Sequence, residues 1–427
     1  MTAAHEALLR ACDGHVTEGS DADAVHGMAP RWVASPATTA EVSAVMTAAA
    51  GDGLAVLTRG TGSKLRWGNP PHRLDVVLDT TRLDTLVEHA AGDLILVTGA
   101  GRLLSTLQDD VAGSGQRLGI DPTRSGTIGG TVATGTSGPM RLRHGAVRDL
   151  VIGMTLVRAD GVVAKSGGKV VKNVAGYDLA KLLTGSFGTL GVITEVAFRL
   201  HPVPRERRWV TVPVDGPAAA QAAIQELVHS QQVPVAVEVD WADGRGSVTA
   251  LLEGHADATH ECADTVASAL GAGAAICDLA PDWWGADLAT TDATSGHSTS
   301  DDGDGSGGGP TLVRVTHEIA GAGRLLHAIT ELEERYGVVA SYRGSPAVGV
   351  GCAVLDGEAA TVVAATESLR AAATAIGGAV VVLEAPDAVR DRLDVWGPAT
   401  ALDLMRSVKQ RFDPAGVLAP GRFVGGI

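Results

Sequence analysis

The residues best suited to chemistry lie in three glycine-rich segments in the first half of the chain. They are Arg59-Gly60-Thr61-Gly62-Ser63-Lys64, then Asp121-Pro122-Thr123-Arg124-Ser125-Gly126-Thr127-Ile128-Gly129-Gly130, then Gly185-Ser186-Phe187-Gly188-Thr189-Leu190-Gly191-Val192-Ile193-Thr194. Glycine lets backbone N–H groups approach an anionic or planar ligand closely. The second segment runs on into Thr134-Gly135-Thr136-Ser137-Gly138, where hydroxyls alternate with small residues and offer donors along a polyol or phosphate chain. The first has neither the spacing of a triphosphate loop nor that of a nicotinamide-binding turn. Three such loops exceed the needs of one phosphate and suggest a long ligand gripped at several points, such as a dinucleotide.

Other polar groups are candidates for work on a second molecule. Arg141, Arg143 and Arg148 could hold a carboxylate in a fork, and His144 lies beside the second loop. Lys169, Lys172, Asn173, Tyr177 and Asp178 form a further polar cluster, in which Tyr177 could donate a hydrogen bond. A purely structural role for each of these residues is an equal alternative. His255 and His260 stand five apart and do not share a helix face, so they read as surface histidines. The segment Asp301 to Gly307 is rich in Asp and Gly, yet the twelfth residue of a loop that starts at Asp302 is Val313, where a calcium loop needs a bidentate Glu. Cys12, Cys262, Cys277 and Cys352 are scattered without a C-x-x-C pair, which argues against a metal or iron–sulfur site built by this chain alone.

The elements that must position these groups follow from periodicity. Trp32–Ala34 reads as a strand, and Thr38 or Thr39 as the cap of a helix whose apolar face is Val42, Val45, Met46 and Ala49. Leu54–Leu57 is a buried strand running into the first loop, with further strands at Asp75–Leu78, Leu94–Val97, Val151–Val157 and Val192–Leu200, and a helix over Tyr177–Leu183. The second half repeats itself. Trp209–Pro213, Ala218–His229, Val235–Asp240, Ser247–Glu253, Ala256–Leu270 and Ala275–Asp278 read strand, helix, strand, strand, helix, strand. Thr311–Thr316, Arg324–Glu334, Val338–Tyr342, Ala347–Leu355, Glu358–Ala375 and Ala379–Leu383 read the same way. That order is the split β-α-β of ferredoxin-like units, and two copies side by side would form one wide antiparallel sheet. The expected class is α+β, divided into an N-terminal segment (1–29), a ligand-binding domain (30–205), a cap (206–385) with a flexible insertion at 292–309, and a C-terminal helix and tail (386–427).

With 427 residues, 45% hydrophobic and 19% charged, the chain should fold into two or three globular domains. A formal net charge of -15 argues against nucleic acid and anionic lipid as partners. Neither a signal peptide nor a membrane-spanning run is evident, so the expected place is the cytoplasm, with any membrane association made through partners.

The three loops, with His144-Gly145-Ala146-Val147-Arg148-Asp149 between them, resemble the FAD-binding domain shared by p-cresol methylhydroxylase and vanillyl-alcohol oxidase, over about Pro30 to Pro204. Lys169 to Leu179 and the tail motifs Phe412-Asp413-Pro414 and Pro420-Gly421-Arg422 look like those of the flavin subunits of bacterial glycolate dehydrogenases, most of all the E type. The resemblance implies one FAD, its pyrophosphate on Arg59 to Lys64 and Asp121 to Thr127, including Pro122, Thr123 and Gly126. It places the ribityl chain near Thr134, Gly135 and Ser137, below Gly129 and Gly130, and the adenine and ring against backbone of Gly188, Thr189, Gly191, Val192, Ile193 and Thr194. It further implies a small 2-hydroxy acid substrate, glycolate foremost, and a D-type flavin subunit and an iron–sulfur subunit as partners. A non-catalytic relay or scaffold of such a complex and a stand-alone FAD-dependent alcohol or hydroxy acid dehydrogenase are the alternatives. Two departures stand out. Phe187 occupies a position where D-type subunits commonly carry Glu, and Gly344 to Cys352 contains no histidine where hydroxy acid-oxidising relatives have a His-rich segment, so no general base is evident there. Members with covalent flavin carry a histidine in the first loop, and this chain has none. Acid precipitation of the purified protein is therefore expected to release its FAD into the supernatant; flavin fluorescence retained in the washed pellet would contradict non-covalent binding.

Overall fold

The computed structural model describes residues 2–169, 178–291 and 309–427. The expectations for Tyr177 and its neighbours from 170 on, and for the acidic glycine segment at 292–308, fall outside the described residues.

The first lobe is built on a four-stranded sheet in the order Val16–Glu18, Trp32–Ala34, Val76–Asp79, Val56–Arg59, whose first pair is antiparallel and whose other two are parallel. Parallel pairing requires a crossover, and the helix Thr39–Gly51 supplies it between Trp32–Ala34 and Val56–Arg59. Thr38 caps that helix by accepting from Glu41 N–H, and Val42, Val45, Met46 and Ala49 form its buried stripe. The strand entering the first loop begins at Val56 rather than Leu54, because Leu54 N–H bonds back to Ala49 at the helix end. The second lobe is a five-stranded antiparallel sheet in the order Leu86–Ala90, Ile95–Gly99, Val192–Arg199, Val151–Val157, Val163–Gly167. Its core packs against the helices Leu104–Ala112 and Ile128–Thr134.

The second half forms one eight-stranded antiparallel sheet. Its order is Ala275–Cys277, Glu206–Asp215, Arg245–Gly254, Ala236–Ala242, Val339–Ser345, Val350–Asp356, Thr311–Thr316, Ala379–Glu384. The two halves meet where Ala236–Ala242 pairs with Val339–Ser345, placing Asp240 opposite Arg343. One face is apolar and packs under the helices Pro217–His229, Ala256–Leu270, Ala322–Tyr336 and Ala359–Thr374. Period-two alternation puts Glu238, Asp240, Arg314 and Arg343 on the other face, beside a small apolar cluster of Leu312, Val354 and Leu383. One expectation needs correcting: the strand at 347–355 is shorter, because Pro346–Val348 forms a 3-10 turn, Gly349 takes φ 69°, and the strand starts at Val350. The helix foreseen from Tyr177 is described over Leu179–Leu183.

The C-terminal helix Leu402–Phe412 leads back to the first lobe, where the tail lies alongside Val56–Arg59 with Leu418 bridged in parallel to Val56. Asp413, 2% exposed, receives Lys409 Nζ at 2.6 Å and the N–H groups of Val417 and Leu418 at 2.9 and 2.8 Å. Removing one partner of a buried ion pair leaves an uncompensated charge and costs on the order of 3–5 kcal/mol. Asp413→Ala should lower the unfolding free energy by about that amount, read from the urea midpoint by circular dichroism; a midpoint unchanged from wild type would contradict the clamp.

Candidate cofactor cleft and adjoining cavity

The three glycine-rich loops converge on a narrow cleft. Its walls are Gly60 to Leu65 from the first loop, Thr127, Gly129, Gly130, Ala133 and Thr134 from the second, and Phe187, Gly188, Gly191 and Ile193 from the third. The strand Val56–Arg59 ends at the first loop, and Thr127 caps the helix Ile128–Thr134 by accepting from Gly130 N–H. The first two loops touch so closely that a Cβ on Gly60 would lie 2.2 Å from Thr127 Oγ1. A Cβ on Gly126 would lie 2.9 Å from Ser63 Oγ and 3.3 Å from Lys64 Nζ. Only glycine permits this approach.

Lys64 is the electrostatic signature of the cleft. It is 8% exposed and has no ion pair among the described residues, and burial, with Arg124 adding to it, pushes it down to about 8. Buried cations are ordinarily paired. An ammonium held beside exposed loop N–H groups fits a ligand that brings its own negative charge, as a pyrophosphate does.

Several expected contacts lie elsewhere. Arg59 turns away from the cleft to ion-pair with Asp23 at 2.9 Å and Asp79 at 3.0 Å. Asp121 accepts from Met140 N–H at 3.1 Å, and burial pushes it up to about 7. Thr189 donates to Ser186, Thr194 donates to Thr155, and Val192 lies in the core of the first lobe. Pro122, Thr123, Gly135 and Ser137 face a second cavity instead, which adjoins the cleft along the loop, since Thr134 lines one and Gly135 the other.

That cavity, about 520 Å³, lies between the second loop and the polar face of the eight-stranded sheet. Arg141 lines it, whereas Arg143 and Arg148 are exposed. Facing it from the sheet are Arg314, Glu238, Arg343, Ser345 and His317. Arg343 is paired with Asp240. Arg141 and Arg314 have no carboxylate partner among the described residues; burial lowers both, and the charge of Arg314 lowers Arg141 further. Glu238 is 5% exposed, accepts from the Ser345 hydroxyl, and is pushed up to about 8 by burial, which favours its neutral form. Sequence reasoning found Arg141 and missed Arg314, Glu238 and His317; the signal was the alternation Leu312-Val313-Arg314-Val315-Thr316, which sets a cation on an otherwise apolar strand. His144 stacks on His201 with centroids 4.3 Å apart and contacts Arg117, which pairs with Glu253, so it is part of a lobe-to-cap contact. Burial, His201 and Arg117 push it down to about 4. Lys169 pairs with Glu88, Asp178 precedes the helix Leu179–Leu183, and His255 and His260 sit apart at the start of an exposed helix face, His260 against Arg208.

Known proteins agree with this geometry. Residues 30–167 match the FAD binding domain family and residues 396–423 the C-terminal domain of FAD linked oxidases. Glycolate oxidase subunit GlcD of Bacillus subtilis is 29% identical over 227 residues, which cover 53% of this chain and 48% of that one. D-lactate dehydrogenase of Archaeoglobus fulgidus is 34% identical, covering 48% and 46%. Glycolate oxidase subunit GlcE of Escherichia coli is 32% identical, covering 46% and 59%. The matched segments thus span about half the length of these relatives. In fold, substrate-bound p-cresol methylhydroxylase superposes with a TM-score of 0.73 at 16% identity, over 98% of this chain and 96% of that one.

A charge-assisted hydrogen bond is worth about 1.5–3 kcal/mol, so Lys64→Met should weaken FAD binding by roughly ten- to a hundredfold in equilibrium titration. Because the free site holds Lys64 near 8 and a bound anion favours the ammonium, binding above that pH must take up a proton, and affinity should fall as pH rises through about 8. A flat profile from pH 7 to 10 would assign the anion to other donors. The matched segments and the converging glycine-rich loops together mark residues 30–167 as an FAD binding domain, with FAD as the cofactor, and residues 396–423 as similar to the C-terminal domain of FAD linked oxidases.

Proposed function

We propose that the chain oxidises a small 2-hydroxy acid, glycolate or D-lactate being the first to test, and that it works as an E-type subunit beside a D-type flavin subunit and an iron–sulfur subunit. The observation that carries this reading is the pair Arg141 and Arg314, two cations without carboxylate partners on facing walls of a cavity that opens beside the flavin cleft. Guanidinium groups bind carboxylates in a bidentate fork, and burial strengthens that attraction. Bound FAD would supply the two-electron oxidant. The chain's own residues do the rest: the arginines orient the acid, and neutral Glu238 can donate a hydrogen bond to it. The names of the relatives support hydroxy acids as the substrate class.

A stand-alone dehydrogenase is the second reading, favoured by a fold that covers the whole of p-cresol methylhydroxylase and by a complete cavity within one chain. Each half of the eight-stranded sheet, in the order fourth, first, third, second strand, reads as a ferredoxin-like unit, so that residues 206–385 are a duplicated cap between the FAD domain at 30–205 and the tail at 386–427. Among the described residues no helix is long and apolar enough to cross a membrane.

The experiment is anaerobic addition of glycolate or D-lactate to the FAD-loaded chain alone, followed in the visible spectrum. Bleaching is the expected result, with Arg314→Met raising the half-saturating acid concentration at least tenfold, the loss of a charge-assisted bond of about 1.5 kcal/mol or more. A flavin that stays oxidised with every 2-hydroxy acid would leave the chain a relay or scaffold.

A further inference from the structure

The cavity contains one group that the reading above leaves without work. His317 follows the strand Thr311–Thr316 directly, lines the cavity and is 7% exposed. Its Nδ1 lies 2.8 Å from the carbonyl oxygen of Glu318, and a carbonyl can only accept, so Nδ1 carries the hydrogen. Nε2 is then a bare lone pair, and it is buried with no hydrogen-bond partner. The backbone around it is held firmly. His317 N–H donates to Gly349 at 3.0 Å, and a Cβ on Gly349 or Gly378 would strike the His317 or Thr316 carbonyl at 1.9 or 1.8 Å. A buried acceptor without a donor is costly to keep unless a ligand satisfies it.

Resting on the 2-hydroxy acid reading, we propose that His317 is a catalytic residue whose Nε2 receives the hydroxyl proton of the substrate. With the carboxylate on Arg141 and Arg314, the substrate hydroxyl is the one group of such an acid that must lose a proton. In the oxidation the O–H bond breaks and its proton passes to Nε2, while the C2 hydrogen leaves together with the electron pair of its bond, as a hydride, for which the bound oxidised flavin would be the acceptor. The C–O bond becomes a carbonyl, so the acid loses two electrons and the flavin gains them. The other titratable groups on the wall are poorly suited to accept. Burial favours the protonated form of Glu238, Asp287 is engaged by Arg124, and the Cys352 thiol is driven upward by burial. Burial, working against the imidazolium, keeps His317 neutral and available. The Glu318 carbonyl fixes the tautomer, as a hydrogen bond to the second ring nitrogen does in general.

The test uses the FAD-loaded protein and its His317→Gln variant, with anaerobic D-lactate or glycolate bleaching for rate and oxalate calorimetry for binding. Bleaching should slow at least a hundredfold, within the range for a lost general base, while the oxalate dissociation constant changes less than about threefold. Bleaching within threefold of wild type, with oxalate binding intact, would overturn the role of His317 and leave the hydroxy acid reading standing. Wild-type protein that no 2-hydroxy acid bleaches would overturn both. An independent readout needs no turnover: in 15N-histidine-labelled holoprotein, the resonance absent from the variant should show the neutral Nδ1–H tautomer at pH 7, and oxalate should shift its Nε2 signal. An Nε2–H tautomer or a charged ring would refute the proposal, and this measurement decides alone if the glutamine variant does not retain flavin.

Discussion

Two of the three flavin loops, the first and the third, are held in place by buried charges that arrive from the far end of the chain. Arg422, 4% exposed, donates to the carbonyls of Leu65, Trp67 and Asn69 at 2.6 to 2.8 Å and so fixes the end of the first loop. Lys409 donates to the Thr189 carbonyl of the third loop at 2.9 Å while pairing with Asp413. A loop rich in glycine has much conformational entropy to lose, and each buried hydrogen bond to its backbone offsets part of that cost. The cleft thus depends on contacts separated by more than 350 positions in the chain. Burial holds Arg422 down to about 10, still charged at any physiological pH, so the clamp has no titration within the working range.

A contrast between two kinds of buried cation organises the rest. Arg59, Arg117 and Arg124 each have carboxylates in contact: Asp23 and Asp79, Glu253, and Asp287 with Glu384. Arg124 and Arg117 tie the N-terminal loops to the second half of the chain, and Trp67 adds a hydrogen bond to Glu384 at 3.0 Å. Among the described residues Lys64, Arg141 and Arg314 lack such partners and line open space. Burying a charge without a partner is unfavourable in the fold alone, so the second group is explained by ligands and the first by architecture.

Much of this was legible in the sequence because it is local. Thr38 as a cap, the stripe Val42, Val45, Met46 and Ala49, and the three loops each depend on residues within a few positions of one another. The duplicated strand–helix order was legible for the same reason. Roles that depend on distant neighbours were not. Arg59 reads as a phosphate ligand until Asp23 and Asp79 are seen on either side of it, and Asp121 until Met140 N–H is seen to engage it. His317 is a lone histidine outside any motif, and only the cavity distinguishes it from a core residue. The register around Gly349 escaped the pattern because Pro346 and a left-handed glycine interrupt what periodicity joins.

The cavity's position follows from the seam between the two halves of the sheet. Asp240 and Arg343 are paired directly across that seam, and their ion pair at 2.8 Å lies on the polar face. From the same strand as Asp240 comes Glu238, and from the same strand as Arg343 comes Ser345, which donates to it. One strand of each half therefore sets the neutral acid of the cavity wall, and Arg314 stands two strands further on, on the same face. A slip of one residue at the seam would carry Glu238 and Arg343 into the apolar layer beneath the helices, where neither could be satisfied. The polar pairs that shape the cavity thereby also specify how the two halves join. The seam makes a single wall from the two halves of the sheet.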